Sequence, residues 1–112
     1  MGILTFMMGK GINDAIKEYE NTKGAVLLDV RNVSEFEGGH IPGAINIPLE
    51  ALKERAKELK DKNAPIYAYC LTGARAGSAI SILKSLGFTN VNNIGGINAY
   101  KGLVEKSKGR SF

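Results

Sequence analysis

One cysteine, one histidine, three prolines and no tryptophan leave this chain of 112 residues with few chemically distinctive side chains. A lone cysteine forms no intramolecular disulfide, and with a lone histidine it falls short of the usual four-ligand structural zinc site. Both absences favour a reducing compartment, and neither a metal nor a cofactor is expected. Long apolar runs are missing as well: nothing approaches the roughly 18 to 20 residues that a bilayer-spanning helix needs. The apolar start, Met1 to Met8, stops at Gly9 and Lys10 and lacks the charged leader of a signal peptide. A soluble, cytoplasmic protein without membrane attachment is expected. Charge of either sign is dispersed. The net charge of +4 and the pI near 9.3 come from lysines spread along the chain, with a mild cluster at Lys101, Lys106, Lys108 and Arg110. Without a dense basic stripe and stacking aromatics no nucleic-acid partner is expected, and the surplus positive charge suits small anionic substrates.

What is present suffices for one core. At 44% hydrophobic content the chain should bury roughly two thirds of its unfolded surface, so a single domain over residues 1–112 is expected. Ile12, Ala15, Ile16 and Tyr19 recur at helical spacing, with Gly24 as a stop. Gly24 to Val30 is a continuous apolar run of strand length, as a parallel strand buried on both faces requires. Ser34 carries an N-cap signal for one helical turn ahead of Gly38 and Gly39, and Ala44 to Ile47 reads as a short strand. Leu49, Leu52, Ala56 and Leu59 form the apolar stripe of a second helix whose other faces are charged and solvated. Pro65 to Tyr69 is the next strand. Ala76, Ala79, Ile80, Leu83 and Leu86 pattern a third helix from Ala74, with Gly87 as its left-handed terminator. Gly77, costly by roughly 1 kcal/mol inside a helix, predicts close approach of a neighbour. Asn90 to Ile94 reads as an edge strand, and Gly95-Gly96 turns into a last helical piece bearing Ala99, Tyr100 and Leu103. Strands alternating with helices predict an α/β fold, a parallel central sheet with helices on both faces. In such sheets the ligand site lies beyond the carboxyl ends of the strands, where Asp29-Val30-Arg31 and Cys70 both fall.

Cys70 stands where a strand ends and a helix begins. Backbone N–H groups converge at such a turn, and the helix dipole adds about half a positive charge. Helix N-termini and nearby cations favour the reactive thiolate, although a single cysteine is commonly a small buried hydrophobe. The segment Cys70-Leu71-Thr72-Gly73-Ala74-Arg75 suits an anion cradle. Gly73 permits positive φ and a close backbone approach, the N–H groups from Leu71 to Arg75 are the expected donors, and Arg75 can pair with a bound oxyanion or with the cysteine. Thr72 offers a hydroxyl. Arg31 either points into the mouth to recruit anionic donors or pairs with a nearby carboxylate such as Glu35 or Glu37. Asp29 is expected to fix backbone groups at its strand end, and His40 to be a packed loop histidine.

The chain resembles the rhodanese family of sulfurtransferases over nearly its whole length. Leu28-Asp29-Val30-Arg31, the segment Glu35 to Pro48 containing Gly39-His40-Ile41-Pro42-Gly43-Ala44, the loop Cys70 to Arg75 and Gly95-Gly96 stand in the order of that family's signatures. The resemblance implies a rhodanese-like fold and a two-step reaction with Cys70 as nucleophile. A sulfane sulfur passes from a donor such as thiosulfate to Cys70, forming a persulfide, and then to a thiol or cyanide. Leu71, Thr72, Gly73, Ala74, Arg75 and Arg31 are the substrate-binding residues it suggests. A persulfide carrier delivering sulfur to a partner protein is the alternative from another class. A phosphatase or arsenate reductase of related fold is disfavoured, because phosphatases of that fold place five residues between cysteine and arginine where this chain has four. A non-catalytic scaffold would need none of the cysteine, glycine and arginine. Two departures from the family pattern are Tyr100, where a tryptophan is frequent, and the apolar Leu71.

Overall fold

Successive side chains of a β-strand face opposite sides of its sheet, and strand β3, Ile66–Cys70, uses that alternation to feed two cores at once. Ile66, Ala68 and Cys70 enter one apolar cluster, Tyr67 and Tyr69 the other. The structure, a computed structural model, describes residues 11–107. The apolar start Met1 to Met8 and the basic residues Lys108 and Arg110 lie outside the described residues. In chain order the elements are α1 (Gly11–Glu20), β1 (Val26–Asp29), α2 (Val33–Gly38), β2 (Ile45–Asn46) and α3 (Leu49–Arg55), which tightens into a 3-10 turn over Ala56–Glu58. Then follow β3, α4 (Ala74–Ser85), β4 (Val91–Gly96) and a second 3-10 turn, Ile97–Ala99. The strands are all parallel in the order β2-β1-β3-β4. No helix among the described residues is long and apolar enough to cross a membrane.

Helices cover both faces of this sheet, the α/β arrangement expected from the alternating pattern. On one side α1 packs Ile12, Ala15 and Ile16 against Leu27, Tyr67, Tyr69 and Ile94. On the other, Leu52 of α3 and Ala76, Ala79 and Leu83 of α4 meet Leu28, Val30, Ile66 and Ala68. Coverage on both faces explains why β1 and β3 are so uniformly apolar. The small residues of α4 bring its axis close to the sheet, and Cys70 sits in that layer with 1% of its surface exposed.

Four local expectations are corrected. The N-cap of α2 is Asn32 rather than Ser34: the Asn32 side chain accepts the Glu35 N–H at 2.8 Å, and the Glu35 carboxylate accepts the Asn32 N–H at 3.0 Å. This reciprocal box needs an oxygen acceptor three residues before Glu35, which Ser34 cannot supply. Gly77 has no tight neighbour, since a Cβ there would meet the Asn93 amide at an ordinary 3.6 Å. The last helical piece stops at Ala99, and Leu103 is 82% exposed rather than buried. The chain turns extended at Tyr100 and runs back to His40, where the His40 and Glu105 N–H groups each donate to the other's carbonyl at 2.9 Å. That bridge satisfies the backbone and ends the helical path. Finally, α1 ends at Glu20, and Gly24, at φ +77°, completes the turn into β1 rather than stopping the helix itself.

Tyr69 is fully buried, and its hydroxyl accepts the N–H of Ile41, itself buried, at 3.1 Å. Tyr69→Phe keeps the ring and leaves that donor unpaired, so urea unfolding followed by circular dichroism is expected to show a loss of about 1–3 kcal/mol. A loss below about 0.5 kcal/mol would show that another acceptor reaches Ile41.

Candidate active site

Cys70 is the last residue of β3, and the chain leaves it through Leu71, Thr72 and Gly73 before α4 begins at Ala74. Gly73 caps the helix at φ +110°, a left-handed conformation that a side chain would strain. The turn bends the backbone over the sulfur, so that Sγ accepts the Gly73 N–H at 3.0 Å and the Ala76 N–H at 3.4 Å. Gly73 lies within the span expected to supply donors, and Ala76 lies one residue beyond it. The reason is helical: the first-turn N–H groups have no partner within their own helix and point out of its end. The sulfur thus rests at the positive end of α4. Leu71, Thr72 and Ala74 are exposed on the loop, with Leu71 at 42%. Thr72 and Gly73, with Asn93, Gly95 and Ala15, line an adjoining cleft of about 380 Å³.

The loop is braced from β4. The β3–β4 register shifts between Ala68 and Tyr69, so that Ala68 pairs with Asn93, Tyr69 with Gly95 and Cys70 with Gly96, leaving Ile94 as an extra residue. Such a bulge re-aims the strand end and sets Gly96 directly against the loop. A Cβ at Gly96 would overlap the Leu71 carbonyl and the Thr72 Cα. The Asn98 N–H donates to the Leu71 carbonyl at 3.2 Å, and the Asn93 amide donates to the Gly73 carbonyl at 3.1 Å while accepting the Gly95 N–H at 2.9 Å. Sequence reasoning singled out Gly95-Gly96 but missed Asn93 and Asn98. The available signal for Asn93 was asparagine, a poor strand former, within a strand; Asn98 acts through its backbone N–H, which its residue type does not signal.

Arg75 forms a bidentate pair with Glu35, Nη1–Oε1 at 2.8 Å and Nη2–Oε2 at 3.0 Å, joining α4 to the capping box of α2. The Arg75 hydrogen bonds, opposed by partial burial and aided by the Asn32 N–H, hold the Glu35 carboxyl at about 2. Sequence reasoning assigned Arg75 to an oxyanion or to the cysteine and offered Glu35 to Arg31. The structure pairs Glu35 with Arg75 and Asp29 with Arg31.

Arg31 is buried just beyond the end of β1. It is 5% exposed, and its guanidinium makes three contacts with Asp29 at 2.7–3.1 Å and donates to the Gly39 carbonyl at 2.7 Å. It pairs with a nearby carboxylate, one of the two expected alternatives, but with Asp29 rather than Glu35 or Glu37, because side chains two apart on an extended segment share a side. Burial opposes the Arg31 charge, and the Asp29 hydrogen bond and charge outweigh it, raising its pKa. Asp29 also accepts the Arg31 N–H at 2.9 Å, the backbone-fixing part expected of it. His40 is packed: its ring stacks on Phe36 at 3.7 Å, Nδ1 lies 2.8 Å from the Phe36 carbonyl, and Nε2 lies 3.5 Å from Glu105.

Comparison with known proteins agrees with this geometry. The Rhodanese-like domain family matches residues 13–103. The uncharacterized protein YqhL of Bacillus subtilis (strain 168) is 38% identical over 110 residues, covering 95% of this chain and 86% of that protein. The thiosulfate sulfurtransferase PspE of Escherichia coli (strain K12) is 44% identical over 71 residues, covering 62% of this chain and 68% of that one. Among solved structures, a rhodanese with anions from E. coli superposes with a TM-score of 0.69 at 38% identity, covering 74% of this chain and 99% of the other.

Two outcomes test the site's construction. Gly96→Ala forces the Leu71–Thr72 backbone away from β4 and is expected to cost about 1–3 kcal/mol in urea unfolding, with amide shifts over residues 70–76 in two-dimensional NMR. Unmoved loop amides would refute the contact. The Glu35 carboxyl is held below its ordinary value, so its contribution to stability is complete above about pH 4.5, the unperturbed value, and is lost as pH falls towards about 2. Carboxyl NMR should give a Glu35 midpoint near 2, and the acid-unfolding curves of the parent and Glu35→Gln should converge over that window. A Glu35 midpoint near the ordinary glutamate value of about 4.3 would break the inference.

Proposed function

The chain belongs to the rhodanese-like domain family, and from that premise we propose that it is a sulfurtransferase carrying a sulfane sulfur on Cys70. The observation that carries this reading is the Cys70 sulfur held under two backbone N–H groups at the start of α4, in a loop with four residues between Cys70 and Arg75. In the first step the Cys70 thiolate attacks the outer sulfur of a donor such as thiosulfate. A new S–S bond forms, the donor's own S–S bond breaks, and sulfite leaves with its electron pair. The charge on the Cys70 persulfide equals that of the starting thiolate. In the second step cyanide or an acceptor thiolate attacks the outer sulfur, the Cys70 thiolate departs with the electron pair, and thiocyanate or the acceptor's persulfide is released.

Each residue has a stated part. The Gly73 and Ala76 N–H groups and the positive end of α4 complement negative charge on the inner sulfur. Leu71, Thr72 and Ala74 form the exposed part of the loop over which donor and acceptor arrive. Arg75, paired with Glu35, anchors the loop to α2. Arg31 acts through Asp29 and Gly39 as a positioning residue. The short loop supports transfer of a sulfur over attack on a tetrahedral phosphate. One observation favours a second reading, delivery to a protein acceptor: Leu71, at 42% exposure, presents apolar surface on the loop that carries Cys70.

Incubation with thiosulfate followed by intact-mass measurement is expected to add about 32 Da, one sulfur atom, with release of one equivalent of sulfite. Cys70→Ser should abolish the addition, and cyanide should remove it as thiocyanate. If thiosulfate, polysulfide and glutathione persulfide all leave the mass unchanged, the proposal fails. Loading without turnover by cyanide, but with turnover by a thiol protein, would select the carrier reading.

A further inference from the structure

Four lysines converge at the end of the sheet opposite Cys70. Lys53 of α3, Lys57 of the 3-10 turn and Lys60 just beyond it border with Lys62 a groove of about 490 Å³ floored in part by Leu86 and Phe88. Lys62 precedes the first residue of β3, whereas Cys70 ends that strand. Four steps of about 3.3 Å set the groove roughly 13 Å or more from the sulfur along β3.

The groove is ordered by its own contacts. The Thr89 N–H donates to the Lys62 carbonyl at 2.9 Å, and the Thr89 hydroxyl lies 2.9 Å from Asn63 Oδ1, tying the segment before β3 to the segment before β4. The Lys62 ammonium lies 5.7 Å from the centroid of the Phe88 ring. Among the described residues none of the four lysines has an ion-pair partner, and Glu58, on the same stretch of chain, is held by Arg55 at 2.8 and 3.0 Å. Glu54 is the single carboxylate lining the groove. Like charges gathered over a concave apolar floor repel one another and contribute nothing to the core. Their arrangement is complementary to an anion of extended shape.

We propose that this groove docks a short acidic segment of a partner protein, rich in aspartate and glutamate, with one apolar side chain seated against Leu86. Charge complementarity selects an acidic ligand, and the apolar floor selects a peptide. Phe88 is 4% exposed and covered by Lys62, so no aromatic face is open for the base stacking that single-stranded nucleic acids use. The site is separate from Cys70, so it tethers a partner while leaving the loop open, and it stands whether or not the sulfur chemistry proposed above is correct.

The probe is a synthetic peptide of six acidic residues flanking one leucine, titrated into the full chain and followed by two-dimensional NMR. The amides of residues 53–62 and 86–89 should shift while those of residues 70–76 stay in place. Affinity should fall as salt is raised, and replacing the peptide's leucine by serine should weaken binding several-fold. The quadruple variant Lys53→Glu, Lys57→Glu, Lys60→Glu and Lys62→Glu should lose binding by about tenfold or more, with parental circular dichroism and unchanged sulfur loading. Lys57→Gln with Lys60→Gln is the milder variant should the reversals unfold the chain, and it should weaken binding in the same direction. Shifts spread evenly over all lysines, binding retained in these variants, or tighter binding of an oligonucleotide of equal charge would each overturn the proposal.

Discussion

The fit of the Leu71–Thr72 backbone against Gly96 is the constraint on which the site depends. There is no room between them for a single carbon atom, so β4 dictates the path by which the chain leaves β3. That path puts Gly73 in its left-handed conformation, starts α4 at Ala74 and brings the Gly73 and Ala76 N–H groups onto the sulfur. The bulge at Ile94 puts Gly96 in register with Cys70. The Asn93 and Asn98 hydrogen bonds then hold the two outer carbonyls of the loop. A reactive group on a turn is only as well placed as the rigid elements beneath it, and here those elements are a bulged edge strand and two asparagines.

Two ion pairs at the same end of the sheet do different work. Asp29–Arg31 is buried and joins the end of β1 to the Gly39 turn. A pair so fully desolvated contributes little net stability but is costly to break from one side, because the surviving charge has no water to turn to. Glu35–Arg75 is partly exposed and ties α2 to α4 across the loop. It also lowers the net positive charge of the rim. The electrostatic environment of the sulfur is accordingly set more by backbone N–H groups and the end of α4 than by a free guanidinium.

Much of this was legible in the residues themselves. The apolar runs of β1 and β3, the stripe of α3 and the Ala76, Ala79, Leu83 face of α4 carry periodicities of two or 3.6 that report burial directly. The strand-to-helix turn at Cys70 followed from the junction of two such patterns. Arginine partners were not legible. Arg31 has Asp29, Glu35 and Glu37 near it along the chain, whereas no carboxylate lies between Asp61 and Glu105 to pair locally with Arg75; which one each meets depends on strand direction and burial rather than on spacing. The Asn32 cap was hidden by Ser34 two residues later, which carries an equally good capping side chain in the wrong place. Leu103 was misplaced because helical spacing in a short segment cannot foresee that the backbone will be drawn off to pair with His40.

The amino-acid sequence by itself determined a parallel α/β sheet, its two apolar faces and the position of one thiol at the carboxyl edge, because hydrophobic periodicity and glycine placement are local properties. Tertiary structure alone decided which N–H groups reach that sulfur, that Glu35 pairs with Arg75, that Arg31 is buried against Asp29, and that four lysines between residues 53 and 62 line one groove. The Glu35–Arg75 pair joins residues 40 apart in the chain; the other contacts are nearer in sequence, and all are settled by how closely backbones can approach and where charge finds its counter-charge.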